Sequence, residues 1–311
     1  MDNKALTSNI LRVVIASRPK FFTAAAAPVL VGSAMGYAIG GSFGVGVFVA
    51  ALVAMVLIQA GANLSNDYFD HLSRNDWINK NVTPFSGGGR SIQNDLLSPK
   101  AVLLAALVAL VFGAIIGVVL VMVTQNLLVL GVGVVGCLGA FLYTAGPVKL
   151  GYRTVGEVVI FMLFGLFPVY AAYSLQHGEY LLAPLLPASI VGILIFLIIL
   201  VNEFPDAEAD AAVDKKTIVV RFGARVAAWV YRIVMALSYV IAAAMLLFGA
   251  MRYAGVLYML TIPLAVQVWR QTDAKELVKP GRYEACRTTV MLHAGGSLAL
   301  AIGFVVAGLR G

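Results

Sequence analysis

The apolar residues of this chain fall into nine long segments separated by short polar stretches. Each segment is long enough to cross about 30 Å of hydrocarbon as an α-helix, and the eighth is the shortest. The pattern predicts an all-α polytopic membrane protein with nine transmembrane helices in a single bundle. The segments are residues 21–41, 43–65, 100–123, 127–146, 155–176, 180–201, 226–249, 253–269 and 288–309.

The stretches between these segments suggest how the bundle is capped. Residues 1–311 are predicted to form one membrane domain, with no division into smaller units. Residues 1–20 are predicted to lie on the membrane surface, because residues 7–17 have an apolar face and begin with a Thr or Ser cap. Residues 66–99 and 202–225 are predicted as cytoplasmic cap loops over a central cavity.

Composition and charge give the class and the orientation. Hydrophobic residues make up 61% of the chain, charged residues 12%, and the mean hydropathy is +0.92, which excludes an ordinary soluble globular protein. Of 22 lysines and arginines, 19 lie in the N-terminal stretch or in the loops after segments two, four, six and eight. Because cytoplasmic loops collect these residues, the N-terminus is predicted inside and the C-terminus outside the cytoplasmic membrane. The net charge of +7 then reflects topology and anionic lipid rather than nucleic acid.

A polar run with the sequence NEFPDAEADAAVDKKT, residues 202–217, directly follows the sixth apolar segment. Metal-competent side chains recur in it at every fourth position, so a helix would align their oxygen atoms in one slowly winding stripe. Pro205 is expected to break the helix and start a new one. The four side chains are Asn202, Asp206, Asp210 and Asp214.

A second run of the same kind, NDYFDHLSRND, ends the second apolar segment and supplies Asn66, Asp67, Asp70 and Asp76. The two runs together hold eight of the chain's 15 acidic residues. Carboxylates that repel one another at a membrane boundary favour a bound divalent cation, and a set of oxygen ligands favours Mg²⁺. The sequence therefore predicts a magnesium site shared by the two runs.

The loop after the first run contains TPFSGGGRSIQ. Gly87, Gly88 and Gly89 would let the backbone approach a ligand closely, and Arg90 offers a fork of donors for a phosphate. Three glycines also fit a plain flexible turn, and it is the neighbouring acids that favour the ligand-binding interpretation.

Several cations lie beside the acidic runs. Lys149 and Arg153 either anchor the interface or hold an anion, while Lys215, Lys216 and Arg221 are well placed to bind a diphosphate. A cation-lined, metal-bearing cavity under apolar helices suits an isoprenyl diphosphate. Mg²⁺ would neutralise the leaving group, and dry apolar walls would protect the allylic cation from water.

Four stretches of the chain together form a specific pattern. They are SRPKFFTAAAAPVLVGSA at 17–34, NDYFD at 66–70 with Asp76, YTAGPVKLGYRTVGE at 143–157, and NEFPDAEAD with KKTIVVRFG at 202–223. Through these stretches the chain resembles the UbiA superfamily of intramembrane prenyltransferases over nearly its whole length, and most closely the 1,4-dihydroxy-2-naphthoate prenyltransferases of menaquinone synthesis.

This resemblance implies Mg²⁺-dependent transfer of a polyprenyl group to dihydroxynaphthoate, with decarboxylation to demethylmenaquinone. Residues at Arg74 and Asp214 depart from the family pattern, so Asp214 is either an extra ligand or a surface cap. The implied metal ligands are Asn66, Asp70, Asp76, Asn202, Asp206 and Asp210, of which the four aspartates are the predicted catalytic residues. The predicted substrate-binding residues are Asn66, Asp67, Arg90, Tyr143, Lys149, Arg153, Asn202, Lys215 and Arg221.

Two alternatives stay open from the sequence. The same chemistry would serve another acceptor, such as hydroxybenzoate, homogentisate, a glycerol phosphate or a porphyrin. A cation-coupled transporter would also place acids among apolar helices, but its binding site is expected near the membrane midplane rather than at segment ends.

Overall fold

The computed structural model describes residues 3–85, 88–178 and 181–310, which form helices and connecting turns without a β-strand. This confirms the all-α prediction. The helices are α1 Asn3–Ala16, α2 Thr23–Gly40, α3 Val45–Leu72, α4 Asn75–Ile78, α5 Pro99–Thr124, α6 Leu127–Leu142, α7 Gly156–Phe161, α8 Phe167–His177, α9 Leu185–Ala212, α10 Ile218–Met245, α11 Met251–Met259, α12 Ile262–Gln271, α13 Ala274–Leu277 and α14 Glu284–Arg310. Short 3₁₀ turns occupy Pro19–Phe21 and Leu150–Tyr152, and a π-helical turn, Met162–Leu166, joins α7 to α8.

Seven helical rods in the described ranges are long and apolar enough to span a membrane, which confirms the membrane-protein prediction. They are α2, α3, α5, the continuous α7–α8 rod, α9, α10 and α14. Helices α11 and α12 are bent by 47° and supply an eighth span if taken as one unit, while α6 is apolar but has only 16 residues. All nine predicted segments are thus helical, and the count of nine spans stays a prediction.

Helix α9 forms the centre of the bundle and α5 lies at its surface. About 67% of the apolar window of α9 is buried, against 22% for α5, and α9 packs against α2, α7, α10 and α14. On α5 the side chains of Leu104, Phe112 and Val123 remain exposed. In a membrane such a face contacts lipid. Helix α9, by contrast, is the most buried of the candidate spans in the described residues, so its acidic end projects from the centre of the bundle.

The expected helix break at Pro205 is wrong, because α9 runs unbroken through it. Proline removes the hydrogen bond that the Val201 carbonyl would normally accept. In this bundle the thiol of Cys286 on α14 donates to that carbonyl at 3.7 Å. A neighbouring helix thus satisfies the freed group, and the stripe of metal-competent residues continues on one rigid helix.

The two stretches predicted as cap loops are partly helical, because the neighbouring helices extend into them. Residues 66–72 complete α3, and residues 202–212 complete α9. Residues 218–225 begin α10, which is kinked at Gly223, where φ is +82°. Both acidic runs project from the ends of membrane-length helices, so their side chains are positioned by the bundle core.

Candidate active site

A cavity of about 230 Å³ lies where the acidic ends of α3 and α9 meet. Its deeper wall is apolar and includes Ile160, Leu163, Phe164 and Ile195. Leu163 and Phe164 come from the π-helical turn Met162–Leu166, and such turns frequently occur at functional sites. The polar mouth and greasy interior match a ligand with a charged head and a hydrocarbon tail.

The end of α3 supplies the first group of polar side chains. Asn66 and Asp70 lie one turn apart, and the Asn66 amide donates to Asp70 Oδ2 at 2.9 Å. The hydroxyl of Tyr152, from the turn after α6, donates to Asp70 Oδ1 at 3.0 Å. Asp70 is therefore fixed from two sides at the rim of the cavity.

A sharp turn at Arg74 brings the first acidic run against the second. Helix α3 ends at Leu72, and Arg74 adopts φ 66° in the left-handed region before α4 begins. Helix α4 then presents Asp76 to the cavity, together with Asn75, its first residue, and Asn79, which follows its end. The exposed Arg74 side chain is not part of the cavity lining, so its contribution to the site is the direction of the chain.

Two direct hydrogen bonds join the acidic runs. The Asn75 amide donates to Asp210 Oδ1 at 2.8 Å, and the Asn79 amide donates to Asp206 Oδ1 at 2.7 Å. These contacts cross about 130 positions of sequence, the separations being 135 and 127 residues. Clusters that are distant in the chain thus face one common space.

Lys215 completes the second acidic cluster. Its ammonium lies 3.2 Å from Asp210 Oδ1 and over the ring of Tyr152. Burial alone would lower the pKa of Lys215, but Asp210 and Asp70 raise that pKa well above its ordinary value. The lysine is therefore a permanent positive charge at the cavity wall.

Asp76 shows the opposite electrostatic effect. Desolvation, followed by repulsion from the carboxylates of Asp70 and Asp67, raises the pKa of Asp76 to about 8. A bound cation would offset both penalties, because its positive charge stabilises the ionised carboxylate.

The glycine-containing loop lies directly on the first cluster. A Cβ atom at Gly88 would be 2.5 Å from Asp76 Oδ1, and one at Gly89 would be 2.4 Å from Asp67 Oδ2. The Gly89 amide also donates to Asp67 Oδ1 at 3.0 Å. The close approach therefore requires glycine at both positions, whereas Gly87 lies outside the described residues.

Asp67 itself is not a cavity residue. It is 1% exposed and is paired with the guanidinium of Arg18, which lines the cavity. Arg18 therefore ties the start of α2 to the end of α3 and to the glycine loop.

Eight of the predicted site residues line the cavity together. They are Asn66, Asp70, Asp76, Tyr143, Asn202, Asp206, Asp210 and Lys215. The structure places the five others, and Asp214, outside this lining.

Four predicted cations make contacts elsewhere. Arg90 donates to the Asn79 carbonyl at 3.2 Å, Lys149 lies 4.8 Å from the ring centre of Tyr152, and Arg153 donates to the Val148 carbonyl at 2.9 Å. Arg221 donates to Thr154 Oγ1 at 3.4 Å. Their substrate-binding roles stay predictions.

The structure distinguishes the two possibilities that the sequence left open for Asp214, an extra ligand or a surface cap. It lies beyond the end of α9, its side chain is 82% exposed, and it pairs with Lys216 at 3.4 Å. Asp214 is therefore a surface residue, and the stripe of oxygen-bearing side chains on α9 ends at Asp210.

Several lining residues were missed from the sequence: Arg18, Asn75, Asn79 and Glu203. Asn75 precedes Asp76 just as Asn66 precedes Asp67, and this repeated Asn-Asp pair was an available signal. Arg18 and Glu203 carried no such signal, since their importance depends on which residues other helices bring beside them.

Comparison with known proteins agrees with this geometry. Residues 25–283 match the UbiA prenyltransferase family. The chain is 28% identical over 297 residues to the 1,4-dihydroxy-2-naphthoate octaprenyltransferase of Haemophilus influenzae, covering 92% of this chain and 94% of that protein. It is 29% identical over 296 residues to the 2-carboxy-1,4-naphthoquinone phytyltransferase of Synechocystis sp., with coverages of 94% and 93%.

The fold has relatives among solved structures. A UbiA homolog from Archaeoglobus fulgidus bound to GPP and Mg²⁺ superimposes with a TM-score of 0.71 at 14% identity, covering 96% of this chain and 98% of that one. A family match over most of the chain, together with this shared fold and two acidic helix ends at one cavity, leads to a single conclusion. The chain belongs to the UbiA prenyltransferase family and is an integral membrane prenyltransferase.

Proposed function

We propose that this enzyme transfers a polyprenyl group from an isoprenyl diphosphate to 1,4-dihydroxy-2-naphthoate, which loses its carboxylate to give demethylmenaquinone. One observation supports the diphosphate half above all others. Asp70 and Asp76 from the first acidic run, and Asp206 and Asp210 from the second, face the same cavity above an apolar interior.

The donor atoms fit Mg²⁺. Every candidate ligand is a carboxylate or amide oxygen, and Asn202 Oδ1 is buried without a hydrogen-bond donor. Within residues 3–85, 88–178 and 181–310, no three carboxylate, imidazole or thiolate groups already converge as a preformed metal site. Asparagine amides and Lys215 contact the carboxylates instead, and an amide that turns over presents its oxygen.

The residues that would hold the metal are those already predicted: Asn66, Asp70, Asp76, Asn202, Asp206 and Asp210. When bound, Mg²⁺ supplies positive charge to the diphosphate and so improves it as a leaving group. The protein adds Lys215 and Arg18, two cations that line the same cavity. The apolar side chains of Ile160, Leu163 and Phe164 exclude water from the carbon that loses the diphosphate.

The choice of acceptor rests on sequence similarity. The two relatives compared above are named for naphthoate or carboxynaphthoquinone prenylation, and the alignments extend over more than nine-tenths of this chain. Hydroxybenzoate, homogentisate, a glycerol phosphate and a porphyrin are the competing acceptors, and the product assay below distinguishes them.

The decisive experiment uses the purified protein in detergent with Mg²⁺. Isoprenyl diphosphates of several chain lengths are each offered with every acceptor, and the products are identified by mass spectrometry. Prenylated, decarboxylated naphthoquinol is expected, with diphosphate released in equal amount and both lost on addition of EDTA. Release of no diphosphate with any acceptor would contradict prenyl transfer and favour a transporter, whereas a product on another acceptor would change only the second substrate.

The cavity mouth faces the cytoplasm in this proposal, following the distribution of lysine and arginine. Asp214→Cys at the cavity end and Gln125→Cys at the other end of α5 test it, in a background with Cys137 and Cys286 replaced by Ala. A membrane-impermeant thiol reagent is expected to label only the Gln125→Cys variant in right-side-out vesicles. The reverse pattern would invert the topology.

A further inference from the structure

A second cavity, of about 360 Å³, lies among the membrane-spanning helices, apart from the active-site cavity described above. It is formed by α3, α5, α6 and α8, with Val29 from α2, and the two cavities share no lining residue. Every side chain that lines the second cavity is apolar apart from the thiol of Cys137. Because a polar group would be left without partners there, the ligand that suits this cavity is a hydrocarbon.

The second cavity continues the active-site cavity in the direction that leads away from the acidic clusters. On α3 the active-site lining extends from Asp70 back to Gln59, and the second cavity begins at the adjacent residue, Ile58. On α6 the same change occurs between Gly139 and Leu138. Because a helix rises about 1.5 Å per residue, Ile58 lies about 18 Å from Asp70 along the α3 axis.

A thin apolar partition separates the two cavities. Leu163, from the π-helical turn, packs against α6 at Gly139, where an added Cβ atom would collide with Leu163 Cδ1. Leu163 and Phe164 belong to the same buried apolar cluster as Met55, which lines the second cavity. Methionine is flexible and leucine can change rotamer, so a hydrocarbon chain can pass this layer without breaking a hydrogen bond.

Two glycines keep the second cavity open. A Cβ atom added at Gly117 on α5 or at Gly133 on α6 would meet nothing within 4 Å, although both residues line the cavity. Gly113, by contrast, is closely packed, because a Cβ atom there would lie 3.0 Å from the side chain of Ile58. Close approach of α5 to α3 therefore accounts for Gly113, whereas Gly117 and Gly133 leave space that helix packing does not require.

The second cavity opens toward lipid between α5 and α6. Val118 on α5, and Leu130 and Val134 on α6, line the cavity, and all three side chains are exposed. A hydrocarbon chain too long for the two cavities would leave here for the bilayer, where it remains shielded from water.

We propose that the second cavity binds the distal isoprene units of a long isoprenyl diphosphate, and that the tail displaces Leu163 to reach it and emerges between α5 and α6. The inference rests on the proposed function, because it requires a donor whose diphosphate lies at the acidic clusters. A short tail stays within the active-site cavity, and a long one extends past Ile58. The second cavity therefore favours donors with long chains.

Filling the second cavity tests this role. The double variant Gly117→Leu, Gly133→Leu places two branched side chains in the open space, and leucine is more favourable than glycine inside a helix. The purified wild type and the variant are each assayed with geranyl diphosphate and with octaprenyl diphosphate, with Mg²⁺ and the same acceptor. The octaprenyl-to-geranyl ratio of kcat/KM is expected to fall at least about tenfold, while the geranyl value changes by no more than about twofold.

Gly131→Leu is the matched control. Gly131 lies on the same helix as Gly133, and a Cβ atom there also meets nothing within 4 Å, but it is exposed and outside the cavity lining. Its octaprenyl-to-geranyl ratio should equal that of the wild type. An unchanged ratio in the double variant, or an equal fall in Gly131→Leu, would overturn the proposal.

Removal of the partition should have the opposite effect on the ratio. Leu163→Ala is expected to lower turnover with both donors, because Leu163 also lines the active-site cavity. The octaprenyl-to-geranyl ratio should nevertheless rise about fourfold, the equivalent of burying one further methylene group. A ratio that falls in Leu163→Ala would contradict the role of this side chain as the partition.

A measurement on the wild-type protein keeps the proposal testable if the double variant does not fold. Octaprenyl diphosphate with a diazirine on its last isoprene unit is photolysed with the protein and Mg²⁺, and the labelled peptides are identified by mass spectrometry. Labels are expected within residues 113–120 of α5 and 129–138 of α6. Labels confined to α2 or α14 would overturn the proposal and leave the second cavity to a membrane lipid or to a second copy of the chain.

The proposed function and this inference fail in different ways. If the wild type releases diphosphate from neither donor, both are rejected. If it transfers the geranyl group but the ratio does not depend on Gly117 and Gly133, the inference alone is rejected.

Discussion

The two acidic runs share the pattern Asn-acid-x-x-Asp, yet their second residues have opposite surroundings. Asp67 is enclosed by positive partners, the Arg18 guanidinium and the Gly89 amide. Glu203, at the equivalent position, faces a second acid, Glu157. The residue that follows each asparagine therefore takes its role from the neighbouring element, a cation from the start of α2 in one run and a carboxyl from α7 in the other.

The first and fifth positions behave alike in both runs. Asn66 and Asp70 lie one helical turn apart on α3, and Asn202 and Asp206 lie one turn apart on α9. All four line the cavity. The difference teaches that the i, i+4 spacing places two side chains of each run at the shared cavity, while the residue directly after each asparagine is free to serve a separate purpose on each side.

Removing a carboxylate from either run should have the largest effect. Asp70→Ala and Asp206→Ala are each expected to lower kcat/KM for prenyl transfer by about 10³-fold or more, because each deletes a carboxylate that is proposed to hold the Mg²⁺ that neutralises the diphosphate. Asp214→Ala is the control, since this aspartate is exposed and outside the cavity. Melting in detergent should stay near the wild-type temperature in all three, and near-normal turnover in Asp70→Ala or Asp206→Ala would remove that residue from the site.

Removal of the Arg18 cation beside Asp67 should have the second-largest effect, and it should act on stability rather than on turnover. Arg18→Met leaves the 1%-exposed Asp67 carboxylate without its cation and is expected to reduce stability by about 3 kcal/mol. Arg18→Met combined with Asp67→Asn should recover most of the loss, because the unpaired charge is then gone. Thermal unfolding in detergent measures both, and a double variant no more stable than the single one would show that Arg18 acts on something other than Asp67.

Gly88 offers a narrower test of how close the loop lies to the first cluster. Gly88→Ala would place a Cβ atom 2.5 Å from Asp76 Oδ1, so the Mg²⁺ concentration for half-maximal activity is expected to rise about tenfold. Gly281→Ala is a matched control, because both glycines have φ 76° but nothing lies within 4 Å of a Cβ at Gly281. Equal effects of the two substitutions would attribute the change to backbone strain alone.

Sequence patterns alone predicted the part of this site in which residues recur with the period of a helix. The apolar segments predicted the helices, and the i, i+4 recurrence of Asn and Asp predicted the residues that meet at the cavity. Charge alone did not show which cations reach it, because Arg90 and Arg153 bond to backbone carbonyls while the overlooked Arg18 lines the cavity. Such choices depend on contacts between distant elements, which local patterns do not encode.

Pro205 illustrates the same limit in the backbone of the second run. From sequence a proline predicts a broken helix, but the thiol of Cys286 replaces the missing donor and α9 continues. The first run has no such support, and α3 ends at Leu72 before the left-handed turn at Arg74. The second cluster is therefore held by one helix supported from α14, whereas the first is divided between the end of α3 and the turn that leads to Asp76.

This difference leads to the smallest expected effect. Cys286→Ala leaves the Val201 carbonyl without a donor and should reduce stability by about 0.5 kcal/mol, since thiol hydrogen bonds are weak. Pro205→Ala restores a backbone amide that donates to the same carbonyl, so Cys286→Ala in the Pro205→Ala background should lose less. A thermal double-mutant cycle in detergent measures this coupling. Equal costs of Cys286→Ala in both backgrounds would mean that packing against α9, rather than the carbonyl freed by the proline, is what the thiol provides.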